Sequence, residues 1–166
     1  MIRTTVLTTL SLAVLLIAAG CSSTPTTSGE TTPATSSSVP GTWIEVEGDA
    51  ATVHIPLGTI EKYVNTHFNV ETNGERLDYM AYLLDGTVHI RANVCPPCRS
   101  RGFALEGEVL VCDTCATTFD ALDGSGIQGA CMDYPKASVE YQIMDGMVNL
   151  DMNDLVEAYG ETEIPG

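Results

Sequence analysis

Four cysteines form two CxxC pairs in VCPPCRSRGFALEGEVLVCDTCATTF, the stretch from residue 94 to 119. The pairs are Cys95 with Cys98 and Cys112 with Cys115. A CxxC on a tight turn directs two sulfurs to one point, so two such turns joined by a hairpin can supply four thiolates. That ligand set suits zinc, a single iron ion or an iron–sulfur cluster. We therefore predict a metal site at these four cysteines.

A fifth cysteine, Cys131, follows in the segment QGACMDYP. Gly124, Gly126 and Gly129 precede it. They would let this loop pass closely over a bound group, although any sharp loop also needs glycine. Cys131 is therefore a candidate fifth ligand, or a replacement ligand for a cluster. An equally weighted interpretation is a small buried apolar residue.

Two other kinds of thiol chemistry compete with a metal site. Outside the cytoplasm free thiols tend to become disulfides, so the four paired cysteines could form two structural bridges. A disulfide within each CxxC would instead suit thiol–disulfide exchange. That chemistry uses a CxxC at a helix N-terminus within a βαβ pattern, and the sequence shows neither. The metal site is the preferred interpretation because two CxxC pairs at this spacing are typical of metal binding.

The elements that must position the cysteines are mostly β-strands. Alternation of apolar and polar residues in TWIEVEG predicts a strand, and ATVHIPL and TVHIRANV are also strand-like. Asp-Gly dipeptides at 85–86 and 145–146 predict hairpins on either side of the cysteine segment, and residues 106–107 predict a third hairpin within it. A short helix, NDLVEAYG, is expected near the C-terminus, with Asn153 as its N-cap. The predicted fold is mainly β: a small antiparallel sandwich or open barrel, with two CxxC knuckles on a hairpin and a short C-terminal helix.

The composition limits the classes of partner. Among 166 residues, 22 are acidic and 7 are Lys or Arg, which gives a formal net charge of −15. Such a balance argues against nucleic acid, which needs clustered basic residues, and against docking on anionic lipid headgroups. No pattern indicates a catalytic nucleophile, a general base or a substrate pocket. We therefore do not expect an enzyme.

The N-terminal segment predicts export and a lipid anchor. Arg3 precedes an apolar run over residues 10–19, which is too short to span a membrane and is flanked like a secretory signal peptide. The small residues directly before Cys21 resemble the lipobox of bacterial lipoproteins, in which that cysteine carries the lipid. An ordinary signal peptide cleaved near Gly20 is the alternative.

The chain after the signal divides by composition. We expect residues 1–20 to be the lipoprotein signal peptide and residues 21–40 to be the lipidated cysteine followed by a disordered tether of Ser, Thr and Pro. Residues 41–166 then form one metal-binding β-domain. These boundaries predict a protein anchored by its lipid to the cell membrane, on the extracytoplasmic face.

The residues around the cysteines resemble a known family. The segments LDYMAYLLDGTVHIRANVCPPC, RGFALEGEVLVCDTCATTF and GIQGACMDYP resemble the membrane iron–sulfur proteins called FtrD-like, over about residues 52–150. In that family a strand ends in CxxC, and a Gly-aromatic step, a second CxxC and a turn with one more cysteine follow. Residues 102–103 match the step and residues 129–131 match the turn. The chain departs from the pattern at Ala116, where glycine is frequent, and at Pro135, which is displaced from the last turn.

The resemblance implies an extracytoplasmic metal-binding domain associated with membrane iron transport or electron delivery. The implied cofactor is an iron–sulfur cluster or mononuclear iron at the two CxxC pairs, with Cys131 assisting. A membrane iron permease or a redox protein is the implied partner. His67 also matches a family position and is a candidate neighbour of the metal, a structural role being the other interpretation. The competing function is a structural zinc-binding module that scaffolds a membrane complex.

Overall fold

The computed structural model describes residues 37–166 of the chain. The predicted signal peptide, Cys21 and most of the predicted tether lie outside the described residues. Within them, no helix is both long and apolar enough to cross a bilayer. In chain order the strands are β1 Ser38–Val39, β2 Thr42–Trp43, β3 Glu47–Gly48, β4 Thr52–Pro56, β5 Asn65–Thr72, β6 Glu75–Leu84, β7 Thr87–Ala92, β8 Phe103–Glu106, β9 Val109–Cys112, β10 Thr118–Asp120, β11 Gly126–Gln128, β12 Gln142–Met144 and β13 Met147–Asp151, and the helices are α1 Leu57–Tyr63 and α2 Met152–Thr162.

The strands of residues 37–166 form three sheets. The central sheet has the order β2-β5-β6-β7, the outer sheet β12-β13-β4-β3, and the cysteine sheet β1-β8-β9-β10-β11. Neighbouring strands are antiparallel, with β2 and β5 as the parallel exception. The predicted mainly β, antiparallel fold with a C-terminal helix is confirmed. Its sheets are open, and over the described residues they do not close into a barrel.

The central sheet separates two apolar cores. The scaffold core is built from Val53, Ile55, Ile60, Phe68, Val70, Leu77, Tyr79, Ala81, Val88, Ile90, Ala92, Val94, Val139, Val148, Leu150, Leu155, Ala158 and Tyr159. The cysteine core is built from Met80, Tyr82, Leu84, Cys95, Phe103, Leu105, Leu110, Cys112, Phe119, Ala121 and Cys131. Along β6, Tyr79 belongs to the first core and Met80 to the second, because successive residues of a strand point to opposite faces of the sheet.

The hairpins form where the turn residues predict them. Asp85 and Gly86 have φ of 50° and 76°, and Asp145 and Gly146 have φ of 53° and 74°. Positive φ at both central residues is the requirement of the two-residue turn that matches strand twist. The β8–β9 hairpin turns at Gly107, with φ of 63°. All three hairpins are therefore present, and the third one joins the two CxxC pairs.

The C-terminal helix is capped by a different residue from the predicted one. Asp151 is the N-cap, and its carboxylate accepts a hydrogen bond from the backbone N–H of Asn153 at 2.8 Å. The prediction of Asn153 as cap is wrong because β13 runs directly into α2, so the last residue of the strand occupies the capping position. The helix then docks on the central sheet, where the Tyr79 hydroxyl donates to the Leu155 carbonyl oxygen at 2.7 Å.

The folded part of the chain begins within the segment that the composition predicts to be a disordered tether. Ser38 and Val39, which the composition assigns to the tether, pair with Glu106 and Leu105 of β8. This short strand covers an edge of the cysteine sheet that would otherwise present unpaired backbone groups. The Asn65 side-chain amide then donates to the carbonyl oxygen of Val39 at 3.0 Å, which links this strand to the central sheet.

Candidate metal centre

The first CxxC forms a knuckle just after β7. The backbone N–H of Cys95 donates to the Ser100 carbonyl oxygen at 2.9 Å, and the N–H of Arg99 donates to the Cys95 carbonyl oxygen at 2.7 Å. Arg99 adopts φ of 58°, in the left-handed region. The chain therefore reverses tightly between Cys95 and Ser100, and Cys98 lies at the tip of the turn.

The second CxxC repeats this geometry at the end of β9. The N–H of Cys112 donates to the Thr117 carbonyl oxygen and the N–H of Ala116 donates to the Cys112 carbonyl oxygen, both at 2.9 Å. Ala116 occupies the left-handed position, with φ of 55°. Only glycine adopts that region without a steric cost, which accounts for the glycine that the FtrD-like pattern has at this point. The departure at Ala116 therefore keeps the turn but strains it.

A third loop brings Cys131 to the knuckles through Thr117. The Thr117 hydroxyl accepts from the backbone N–H of Cys131 at 3.2 Å and from the Cys115 thiol at 3.2 Å. Gly129 lies against the same residue with φ of 123°, and a Cβ there would come within 2.5 Å of the Thr117 Oγ1. This glycine is therefore required by the contact between loop and knuckle.

The sulfur atoms converge on one point. The Sγ atoms of Cys95, Cys98, Cys115 and Cys131 all lie within 4.8 Å of one another. Cys112 lies beside this group, with its Sγ 3.7 Å from that of Cys98. All five are free thiols. The structure thus brings every predicted site cysteine of the domain together, and the mutually close quartet contains Cys131 and not Cys112.

This quartet fits a thiolate-bound metal. A tetrahedral site with metal–sulfur bonds of about 2.3 Å has sulfur–sulfur edges of about 3.8 Å. The Cys115–Cys131 distance of 3.7 Å matches such an edge, and every other pair in the quartet lies within 4.8 Å. A single ion therefore fits with small displacements, whereas a larger cluster needs the sulfurs to move apart.

Burial differs across the site. Cys95, Cys112 and Cys131 are 0%, 2% and 3% exposed, whereas Cys98 and Cys115 are partly exposed. One side of the centre is thus sealed by the cysteine core, and the other side meets solvent at the knuckle tips. A centre open on one side is accessible to an electron donor or an incoming metal ion.

The thiols differ in acidity. Burial raises the pKa of Cys95 and of Cys112 above the ordinary value. Burial also acts to raise the pKa of Cys115. Hydrogen bonds between Cys115 and the side chain and backbone of Thr117, and between Cys115 and the side chains of Cys112 and Cys98, outweigh it and lower that pKa to about 6. Cys115 is therefore the thiol prepared for deprotonation, the state that binds metal.

Two buried basic residues belong to this region and were not predicted from the sequence. Arg91 holds the loop that carries Cys131, since its guanidinium donates to the carbonyl oxygens of Lys136 at 2.7 Å and Asp123 at 3.1 Å. Lys136 itself is fully buried. Burial lowers the pKa of its ammonium to about 8, against the opposing effect of the neighbouring cysteines. The sequence did contain a signal for a role of Lys136 near the cysteines, because it is one of two lysines in an acidic chain and follows Cys131 closely.

His67 has a structural setting. It is 1% exposed, its ring meets the Trp43 ring edge-on at 5.3 Å, and a Cβ on Gly41 would lie 1.9 Å from it. Burial lowers the pKa of His67 to about 4. Within residues 37–166 the metal-capable group consists of cysteines alone, so His67 is placed outside it.

One family of known proteins matches this chain over most of the described residues. The family described as membrane iron–sulfur containing protein FtrD-like matches residues 60–160. Two solved structures are also similar. Sphingomonas yanoikuyae B1 ferredoxin has 22% identity and a TM-score of 0.43, over 51% of this chain and 82% of that one. A chain of the complex of reduced oxygenase and oxidized ferredoxin in carbazole 1,9a-dioxygenase has 18% identity and a TM-score of 0.44, over 52% of this chain and 80% of that one. Scores at this level do not establish a shared fold. No curated protein sequence matches the chain.

Proposed function

Because the chain belongs to the FtrD-like family of membrane iron–sulfur proteins, we propose that its cysteine core holds iron, as an iron–sulfur cluster or a single ion. The domain is then an electron carrier or a metal-handling protein linked to membrane iron transport, and it is not an enzyme. The observation that carries this proposal is the quartet of free thiols within 4.8 Å of one another.

The proposed ligands are Cys95, Cys98, Cys115 and Cys131. Cys112 lies 3.7 Å from Cys98 and is a spare thiol able to replace a ligand or to bind at a larger cluster. Iron held by thiolates supplies one-electron chemistry, with a potential set by burial, charge and hydrogen bonds to sulfur. The site provides two of those factors. The proposed ligands Cys95 and Cys131 are buried, and the Thr117 hydroxyl is hydrogen-bonded to Cys115.

Metal analysis of protein purified without oxygen tests the proposal. We expect iron, acid-labile sulfide if a cluster is present, and absorption between about 300 and 600 nm from sulfur-to-iron charge transfer. Colourless protein with one zinc and no iron would overturn the redox function. Protein with no bound metal at all would overturn the site itself.

Single substitutions test the ligand set. Cys115→Ser and Cys131→Ser should each abolish or strongly weaken metal binding, because each removes a proposed ligand. Cys112→Ser is the matched control, since it changes a neighbouring cysteine of the same core outside the quartet. It should retain metal. If Cys112→Ser loses metal and Cys131→Ser keeps it, the ligand set is the two CxxC pairs alone.

The membrane location is proposed from the lipobox-like residues before Cys21. Lipid on that cysteine and the polar segment after it would hold the domain close to the outer face, within reach of an iron permease or a redox protein. Incorporation of a palmitate analogue measures lipidation directly. A Cys21→Ala variant that still partitions with membranes would refute the anchor while leaving the metal site untouched.

A structural zinc site is the second candidate, and one observation favours it. The Cys115–Cys131 distance of 3.7 Å matches the edge of a four-thiolate tetrahedron around a single ion, and zinc is the usual metal of such closed sites. The domain would then be a scaffold for a membrane complex. The metal analysis proposed above separates the two functions, because it distinguishes bound iron from bound zinc.

A further inference from the structure

A buried lysine lies against the cysteine core and pairs with no carboxylate of residues 37–166. Lys136 is 0% exposed, and its Nζ donates to the carbonyl oxygen of Val94 at 2.8 Å. Across residues 37–166, the ion pairs between basic and acidic side chains involve Arg76 and Arg101, and none involves Lys136. The ammonium is thus removed from water with a single neutral oxygen as hydrogen-bond acceptor.

Aromatic rings cover the rest of the ammonium and locate it beside the thiols. The Nζ atom lies 4.5 Å from the centroid of the Phe119 ring and 5.5 Å from that of Phe103. Phe103 is directly opposite Cys112 in the β8–β9 ladder, and Val94 precedes Cys95 in the chain. The charge therefore lies in the layer of the buried thiols.

These neutral contacts do not balance the cost of burying a charge. Cation–π contacts stabilise by modest amounts, whereas desolvation of an ammonium is far more costly, and buried charges are ordinarily paired. The cysteines whose charge acts on Lys136 are Cys95, Cys98, Cys112 and Cys131. Those that bind a metal are deprotonated, and their thiolates and the ammonium then compensate each other electrostatically.

We propose that Lys136 is an electrostatic positioning residue of the metal centre, whose ammonium offsets the negative charge of the metal-bound thiolates. It thereby strengthens metal binding and raises the reduction potential of bound iron. This inference rests on the proposed function, because it requires a metal at the quartet. Four thiolates carry more negative charge than a divalent or trivalent ion cancels. When an electrode adds one electron to the iron, the site becomes more negative by one charge, and a nearby cation favours that state.

Metal affinity is the first measurement. Lys136→Met removes the charge while keeping a long apolar side chain, and Lys62→Met is the matched control, because Lys62 is an exposed lysine that lies over the Tyr63 ring at 4.7 Å. Both variants change the net charge equally. In competition between the protein and a chelator for Co²⁺, we expect Lys136→Met to bind at least about tenfold more weakly than wild type. Lys62→Met should bind like wild type.

The reduction potential is the second measurement, and a role in packing alone would not change it. In iron-loaded protein titrated at an electrode, Lys136→Met should shift the one-electron equilibrium about tenfold toward the oxidised form, which lowers the potential by about 59 mV. Lys62→Met should leave the potential unchanged.

The outcomes separate the two proposals. If wild type binds no metal, the proposed function fails and this inference fails with it. If wild type binds metal and Lys136→Met matches it in affinity and potential, the metal site stands and the inference is overturned. Should Lys136→Met not fold, Lys136→Gln replaces it, because the glutamine amide can still donate toward Val94 without a charge. Wild-type affinity in Lys136→Gln would equally overturn the inference.

Discussion

The scaffold core and the cysteine core lie on opposite faces of one central sheet, yet different interactions stabilise them. The scaffold core is filled by aliphatic and aromatic side chains, with Phe68 stacked on Tyr79 at 5.5 Å between ring centroids. The cysteine core includes three buried thiols, and a buried ammonium lies against it. One face is filled by apolar side chains, whereas the other face places thiols and an ammonium where a core would ordinarily be apolar.

The difference indicates that the two faces of this small domain have different roles, one as a scaffold and one as the candidate metal site. We expect the face with the outer sheet and α2 to stay folded without a ligand. If a metal binds the quartet as proposed, the free energy of binding also stabilises the face with the cysteine sheet, because the site forms only in the folded chain. The predictions below test that asymmetry, beginning with the largest expected effect.

Removal of the metal should loosen one face only. With a chelator, we expect hydrogen exchange in β8, β9 and β10 to accelerate about a thousandfold, since a ligand at about 1,000 times its dissociation constant contributes about 4 kcal/mol. Exchange in β4, β13 and α2 should change little. Equal acceleration on both faces would show that the two cores unfold as one unit and would contradict the asymmetry.

A cavity in the scaffold core should lower the stability of the fold without changing its metal content. Phe68 is fully buried, so Phe68→Ala is expected to lower the free energy of unfolding by about 3–5 kcal/mol. Urea unfolding measures this loss, with Phe68→Leu as a control that should lose less. Metal bound per folded molecule should stay at the wild-type value. A loss of metal in folded Phe68→Ala protein would mean that the scaffold also determines the thiol geometry.

Acid should destabilise the chain through His67, which lies on the side of the central sheet that faces the cysteine core. Burial lowers its folded pKa to about 4, against about 6.5 in an unfolded chain. Between these values the unfolded chain binds a proton that the folded chain does not, so stability falls as the pH falls through this range. The loss by pH 4 amounts to about 3 kcal/mol.

Urea unfolding of metal-free protein between pH 7 and pH 4 measures this effect. His67→Gln, which cannot take up the proton, should show a shallower pH dependence than wild type. Carboxyl groups titrate over the lower part of the same range in both proteins, so the difference between the two curves is the quantity to compare. Parallel curves would exclude His67 as the source.

The smallest expected effect concerns the strained knuckle. Ala116→Gly should raise the free energy of unfolding by about 1 kcal/mol, because it relieves a left-handed alanine. Ala50→Gly is the control, since Ala50 is exposed and is not among the residues with positive φ. There the added backbone freedom should destabilise by about 0.4–1 kcal/mol. Thermal unfolding measures the change in unfolding free energy for both variants. If both variants were stabilised, or both destabilised, relief of strain at Ala116 would be contradicted.

Much of the fold was predictable because its signals are local. The Asp-Gly turns predict the hairpins, since Asp and Gly adopt the positive φ found at 85–86 and 145–146 more readily than most residues. The helix cap was mispredicted by two positions because Asp151 and Asn153 are both good caps, and only the end of β13 distinguishes between them. The pairing of Ser38 and Val39 with β8 was missed because their composition carries no strand signal.

The metal centre was predictable in part. The two CxxC pairs indicate the knuckles, since each needs only the few residues between Cys95 and Ser100 or between Cys112 and Thr117. Cys131 remained ambiguous in the sequence, because its approach depends on a long loop held by Arg91 and by contact with Thr117. No periodicity encodes such a contact.

The amino-acid sequence by itself determined the hairpin turns, the strands that flank them and the two thiol knuckles, because backbone sterics and short-range hydrogen bonds decide them. Only the tertiary structure decided that Cys131 joins the quartet in place of Cys112, and that Lys136 lies buried beside the thiols. Both outcomes depend on the packing of the cysteine sheet against the central sheet. That packing brings residues that are distant in the sequence into one layer shielded from water. There, charged groups interact more strongly than they would in solvent.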